Sequence, residues 1–160
     1  MTVLVTGSAG HLGEALMRTF RTTGQPAIGL DRMDSEFTDV VGSVSDRKLV
    51  DRCLADARTV IHAATLHKPH VATHRRQDFV DVNVTGTLNL LESAVANHVD
   101  AFIFTSTTSA FGDALVPPPG EPRHGSPRKY GPYPKTSMGR PRSPPKTFAS
   151  CSIATTVSQR

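Results

Sequence analysis

Apolar residues along the first two-thirds of the chain fall into two alternating patterns. Short continuous runs, Val3-Leu4-Val5, Ala27-Ile28-Gly29-Leu30, a segment ending at Val40-Val41-Gly42, Thr59 to Ala64 and Ala101 onward, read as strands. Runs of that length, bounded by glycine or polar residues, suit a sheet covered on both faces. Between them lie segments with helical spacing. Leu12, Ala15, Leu16, Thr19 and Phe20 mark a first helix, and Leu49, Val50, Cys53 and Leu54 a second, capped by Ser45 or Asp46. A long third helix runs from Gln77 to Asn97, with Phe79, Val82, Leu90, Leu91 and Val95 as its apolar face. Strands alternating with helices predict an α/β fold built on a doubly wound parallel sheet.

The first strand leads into Thr6-Gly7-Ser8-Ala9-Gly10-His11-Leu12-Gly13. A glycine-rich turn between a strand and a helix is suited to binding a phosphate group. Gly7 permits the tight turn, Gly10 leaves bare backbone for a pyrophosphate, and Gly13 lets the helix pack closely. The helix N-terminus presents unpaired N–H groups and the positive end of its dipole. Asp31 follows Gly13 by eighteen residues, at the end of the second strand, where an acid meets the ribose hydroxyls of an adenosine.

Composition divides the chain. Residues 1–120 hold ten Lys and Arg against thirteen Asp and Glu, a net −3; residues 121–160 hold eight against one, a net +7. The overall charge of +4 therefore belongs to the tail. Ten of the twelve prolines also lie between Pro117 and Pro145. We expect two parts: a nucleotide-binding domain over 1–115 and a Pro-rich, basic, irregular tail over 116–160. Such a tail offers too little apolar surface to offset its ordering entropy. The chain starts on a strand, without a basic segment and long apolar stretch, and no apolar run reaches membrane-spanning length. Cys53 and Cys151 form no metal or disulfide pattern. A cytoplasmic location, with no membrane and no nucleic-acid partner, is the expectation.

The glycine spacing resembles the NAD-dependent epimerase/dehydratase branch of the extended short-chain dehydrogenases/reductases, and three further segments strengthen the likeness. His62-Ala63-Ala64 is similar to the family's strand-end motif, where small residues let the cofactor ribose and phosphate cross the strand. Asn83-Val84-Thr85-Gly86-Thr87 resembles its Asn-x-x-Gly-Thr segment, and Thr105 to Gly112 its hydroxyl-rich strand exit. The resemblance implies a Rossmann-like domain and a cofactor site made of Gly7, Gly10, His11, Leu12, Gly13, Asp31, Arg32, Ser43, Val44, Ala63, Ala64, Asn83 and Thr105. Where Ser43 stands the family commonly has an Asp that meets the adenine, which weakens that contact. Asp31 favours NAD, whereas Arg32 beside it could accommodate NADP. Setting Phe111-Gly112 on the family's Tyr-Gly puts Thr107 at the catalytic Ser/Thr position, with Ser106 or Thr108 if the register slips by one. That hydroxyl would hold the substrate oxygen while a Tyr moves a proton and NAD takes hydride. His67, His70 and His74 have spacings that suit metal ligands, but no Cys or carboxylate cluster completes a set, so no metal is expected.

The family's Tyr-x-x-x-Lys pair does not follow. Tyr130 and Lys135 are five apart, Tyr133 and Lys135 two, and Pro132 and Pro134 would break a helix there. A shifted reading frame after about residue 122 would explain this. Joining the last base of each codon to the first two of the next permits a latent Asn-Val-Tyr-Gly ending at Met138, with a Lys possible four places after the Tyr. The substrate domain would then be missing and the edge of the sheet exposed.

The expected function is that of an NAD-binding oxidoreductase-type domain. Its intact relative would be an epimerase, dehydratase or reductase acting on a nucleotide-sugar or similar hydroxylated small molecule. This chain itself is expected to be catalytically incomplete, with a homodimer possible through the helix at 77–97. The competing reading is a non-enzymatic NAD-binding module whose basic Pro-rich tail meets an anionic or protein partner.

Overall fold

The computed structural model describes residues 1–107 of the 160. Strands β1 (Thr2–Thr6), β2 (Ala27–Asp31), β3 (Val40–Val41), β4 (Ala57–His62) and β5 (Ala101–Phe104) form one five-stranded sheet. Its order is β3-β2-β1-β4-β5 and every pairing is parallel. The chain therefore winds outward in one direction from β1 through β3, then returns to β1's other side at β4. The loops leaving β1 and β4 diverge at that reversal, which opens a crevice at the C-terminal edge of the sheet.

β1 is buried on both faces, and successive side chains along it serve opposite sides. Leu4 joins Leu30, Val50, Leu54, Val60, Leu90 and Phe102 on one face. Helix α2 (Arg47–Leu54) and the helix ending in α4 (Gly86–Ala96) cover that face. Val3 and Val5 join Met17 and Phe37 on the other, under helix α1 (His11–Thr23). The expected doubly wound α/β sheet is present over the described residues.

Several elements differ in detail from the sequence expectation. α1 buries Gly13 and Met17 and packs Leu16 and Phe20, while Leu12, Ala15 and Thr19 are exposed. Leu12 instead looks into the crevice. Asp46, not Ser45, caps α2, accepting from Leu49 N–H at 3.2 Å. β5 stops at Phe104, so Thr105 lies beyond the sheet.

The long helix is continuous but not uniform. α3 (Arg76–Val80) passes through a π-helical turn at Asp81–Thr85 into α4. Its buried side is made of Val82, Gly86, Asn89, Leu90, Ser93 and Ala94. Leu91 and Val95, expected in the core, are exposed. Small residues face inward because the helix sits close to α2 and the loop before it: a Cβ on Gly86 would strike the Val44 side chain. Asn89 Nδ2 also donates to the Val44 and Ser45 carbonyls at 3.2 and 3.1 Å, satisfying backbone groups that a leucine would leave unpaired. The outer side carries Val80, Val84, Leu88, Leu91 and Val95, all exposed, at i, i+4, i+8, i+11 and i+15 along one helical face. Ile103 and Phe104 on β5 are exposed as well. The predicted tail, Tyr130, Tyr133, Lys135 and the frame break lie outside the described residues.

Candidate functional site

The glycine turn takes its shape from two close approaches. Gly7 has φ of 78°, and a Cβ there would lie 2.7 Å from Ala64 N. Any other residue would be strained and would push β1 from the β4 exit. A Cβ on Gly13 would meet the Gly7 carbonyl and lie 2.7 Å from Ser8 Cα. Gly13 thus seats the helix on the turn itself, not on the strand behind it. Gly7 N–H donates to the Leu30 carbonyl at 2.8 Å and Gly10 N–H to the Gly7 carbonyl at 3.0 Å.

Gly10 is the N-cap of α1, and no side chain caps that end. The first N–H groups of the helix therefore keep no side-chain acceptor, the condition under which an anion is drawn to a helix N-terminus. Asp31 closes the adjoining wall. Its Oδ2 accepts from Ala9 N–H and its Oδ1 from Met33 N–H, each at 3.0 Å. Each carboxylate oxygen retains acceptor capacity for a hydroxyl beyond the backbone group it already holds. These features fit a dinucleotide: uncapped donors for the diphosphate and a carboxylate for the sugar beyond it.

The cleft so formed has a volume of about 690 Å³. It brings together Gly7, Gly10, His11, Leu12, Gly13, Asp31, Arg32, Ser43, Val44, Ala63, Ala64 and Thr105. Ser43 Oγ lies 2.7 Å from Ser45 Oγ and accepts from Ser45 N–H at 3.2 Å, so its hydroxyl serves its own turn. Ala63 and Ala64 continue the pairing with β1 as Ala63 N–H donates to the Thr6 carbonyl at 3.1 Å. Thr105 N–H donates to the His62 carbonyl at 3.0 Å, holding the start of the hydroxyl run against the β4 exit.

Asn83 and Thr107 are placed differently. Asn83 does not line the cleft. It acts through the loop after β4, where Leu66 N–H donates to its Oδ1 and its Nδ2 donates to the Leu66 carbonyl, both at 2.8 Å. The Thr65 hydroxyl adds a third bond at 3.2 Å. Thr65 and Leu66 in turn line the cleft. Thr107 is exposed and is the last of the described residues.

The sequence reading missed Met33, Gly42, Thr65, Leu66 and Val82 as lining residues, and it set His67, His70 and His74 aside, although all three face the cleft. It also missed Ser8, fully buried, with Oγ 3.2 Å from Thr38 Oγ1. His62, part of the strand-end motif, is a core residue between Thr6 and Thr87. Burial pushes its imidazole down to about 4, so it stays neutral and structural.

A family model described as the NAD dependent epimerase/dehydratase family matches residues 3–138. The chain belongs to this family. It is 30% identical over 119 residues to the UDP-glucose 4-epimerase of Rhizobium meliloti, a match that takes in 69% of this chain and 36% of that enzyme. It is 34% identical over 131 residues to the dTDP-glucose 4,6-dehydratase of Streptomyces antibioticus, covering 70% of this chain and 39% of that one. Among solved structures, the Thermus thermophilus UDP-glucose 4-epimerase in complex with NAD superposes with a TM-score of 0.70 at 27% identity, over 85% of this chain and 45% of that chain. The chain thus spans less than half the length of these relatives. Among the described residues, no helix is long and apolar enough to cross a membrane.

Proposed function

We propose that the cleft binds NAD and that this chain carries the dinucleotide half of an enzyme that epimerises, dehydrates or reduces a nucleotide-sugar. The observation that carries this reading is the uncapped α1 N-terminus at Gly10 opening onto the same cleft as the Asp31 carboxylate. Solved relatives are complexes with NAD, one of them with UDP-glucose and NAD. When bound, NAD supplies a hydride acceptor. The N–H groups of His11 and Leu12 orient the diphosphate, and Asp31 holds the ribose diol and repels a 2′-phosphate. Arg32, Ser43 and Val44 flank the adenine, and Ala63 and Ala64 leave room for the second ribose. Thr105 stands at the substrate end, with Thr107 as the hydroxyl that would hold the substrate oxygen. The exposed apolar face of α3–α4 is the surface for a second copy of the chain.

Calorimetric titration of the full chain tests the cofactor reading. We expect saturable NAD uptake, weaker NADP uptake, and an Asp31→Asn variant that loses about tenfold in NAD affinity, as for one charge-assisted hydrogen bond. A folded sample that takes up no NAD overturns it.

A further inference from the structure

Beyond β4 the cleft changes character. Residues 67–76 carry three histidines with Lys68, Arg75 and Arg76, and no carboxylate. His67, His70 and His74 all line the cleft. They sit on and around a 3-10 turn at Lys68–Ala72, with ring centroids 4.7 Å apart for His67 and His70 and 5.4 Å for His70 and His74. Among the described residues no group of three His, Cys, Asp or Glu is placed to hold a metal ion. The chemistry of this wall is that of the imidazoles themselves.

Local hydrogen bonds fix which ring nitrogens face outward as donors. His67 N–H donates to His70 Nδ1 at 3.0 Å, so a neutral His70 carries its proton on Nε2. The Thr73 hydroxyl donates to the His70 carbonyl at 3.3 Å and therefore accepts from His74 Nδ1 at 2.9 Å. His74 Nε2 becomes a donor when the ring is protonated. The His70 Nε2–H and the exposed Lys68 ammonium are the donors this wall presents to an anionic oxygen.

Arg75 is committed to Asp78 at 2.9 Å, a carboxylate that also interacts with the His74 ring, while Lys68 is exposed and in no ion pair shown among the described residues. Across the cleft stand His11, Arg32 and Asp31, and among the described lining residues Asp31 is the one carboxylate. Asp31 lies at the β2 end, whereas the histidines follow β4 on the side of Thr105. A dinucleotide laid from Asp31 over the glycine turn to β4 leaves the imidazoles facing whatever enters from the β5 side.

We propose that His70 and His74, with Lys68, form a subsite that receives an anionic oxygen group of the substrate at the β4–β5 end of the cleft. The group is the diphosphate of a nucleotide-sugar or the carboxylate of a uronic acid. This rests on reading the cleft as a dinucleotide site, because that reading decides which end is left for substrate.

The test follows the imidazole Cε1–H signals by NMR in the full chain, with and without saturating NAD, while UDP, glucuronate or methyl glucoside is added. UDP, glucuronate or both should shift the His70 and His74 signals saturably, and neutral methyl glucoside should not. UDP alone identifies the diphosphate as the group received, and glucuronate alone the carboxylate. His74→Gln, whose imidazole hydrogen-bonds Thr73 among the described residues, should weaken anion uptake about tenfold and leave NAD affinity within about twofold. Signals indifferent to both anions, an equal response to the glucoside, or a parallel loss of NAD affinity in His74→Gln overturn the subsite. Failure of the NAD reading shows separately, as absence of NAD uptake, while the NAD-free samples still report on the imidazoles.

Discussion

The Thr6 hydroxyl lies 2.6 Å from His62 Nδ1 and donates to it, joining the ends of the two central strands. The direction follows from the far side of the ring. The Thr87 hydroxyl donates to the Asn83 carbonyl at 2.8 Å, so its oxygen accepts from His62 Nε2–H at 3.0 Å. Nδ1 is then the lone-pair nitrogen, and the Thr6 oxygen also accepts Ala64 N–H at 3.3 Å. Both ring nitrogens are satisfied by a neutral imidazole, and a second proton would break the chain of donors that ties β1, β4 and the π-helical turn.

Stability should therefore fall on acidification. Burial lowers the His62 value from 6.5 to about 4 in the folded chain, so the unfolded chain takes up a proton first as pH drops. The contribution is fully present above about pH 6.5 and is lost as pH falls toward 4, a change on the order of 3 kcal/mol. Urea melts of the full chain and of His62→Gln between pH 4.5 and 7.5 check this. The variant should be less stable at pH 7 and lose that part of the slope; equal slopes would refute the assignment. His11, His67, His70, His74, His98 and His124 are common to both proteins and cancel in the difference.

Gly13 and Gly24 separate close approach from backbone freedom. Gly13→Ala drives a methyl into the Gly7 carbonyl and should cost about 1–3 kcal/mol through overpacking, while abolishing measurable NAD uptake. Gly24 has φ of 71° but nothing within 4 Å of a Cβ. Gly24→Ala should cost only about 1 kcal/mol and leave NAD uptake intact. Melting temperatures paired with calorimetry distinguish the two.

Asn83 pairs with Leu66 as one backbone amide pairs with another. Asn83→Ala strips both partners from the half-buried Leu66 backbone and should destabilise by about 1–3 kcal/mol. Asn83→Asp keeps the acceptor for Leu66 N–H but sets a carboxylate against the Leu66 carbonyl. Its deficit relative to the unsubstituted chain should shrink as pH falls through the carboxyl range, where the protonated acid can donate again. A pH-independent deficit in urea melts would refute the pairing.

The strands and the glycine turn were legible in sequence because both depend on local order: β-branched runs, and three glycines spaced for a tight strand-to-helix turn. Helix faces were less so. Leu12 is apolar yet opens onto the cleft, because the first turn of α1 borders it, and Met17 takes the core position instead. On α4 the inward residues include Gly86, Asn89 and Ser93 beside Leu90 and Ala94; Gly86 permits close approach to Val44 and Asn89 pairs with the Val44 and Ser45 carbonyls. A hydrophobicity count places such residues outside. The role of Asn83 could not be read from the chain alone, since its partner Leu66 lies seventeen positions away.

The composition break near Gly120 yields a prediction at the level of the gene. The family model's match runs to residue 138, across that break. If the Pro-rich basic segment is an out-of-frame reading, a single-base insertion or deletion near Arg123 restores a frame encoding Tyr-x-x-x-Lys. Nucleotide sequencing of the locus decides it: a locus in which no such single-base change opens a longer coherent frame refutes the shift.

Val80, Val84, Leu88, Leu91 and Val95 place five branched apolar side chains in contact with water along one face of α3–α4. Each exposed position forgoes the roughly 1.5–3 kcal/mol that full burial of such a side chain provides, and a contiguous apolar face of this kind marks an interaction surface. A second copy, packed helix against helix, would cover it with the same residues on both sides. Sedimentation velocity should show a concentration-dependent dimer for the full chain. Replacing Leu88 and Leu91 together by Glu, at positions 52% and 42% exposed, should yield a monomer whose melting temperature no longer rises with concentration. A chain that is monomeric at every concentration, or a double variant that still dimerises, would remove this face as the interface.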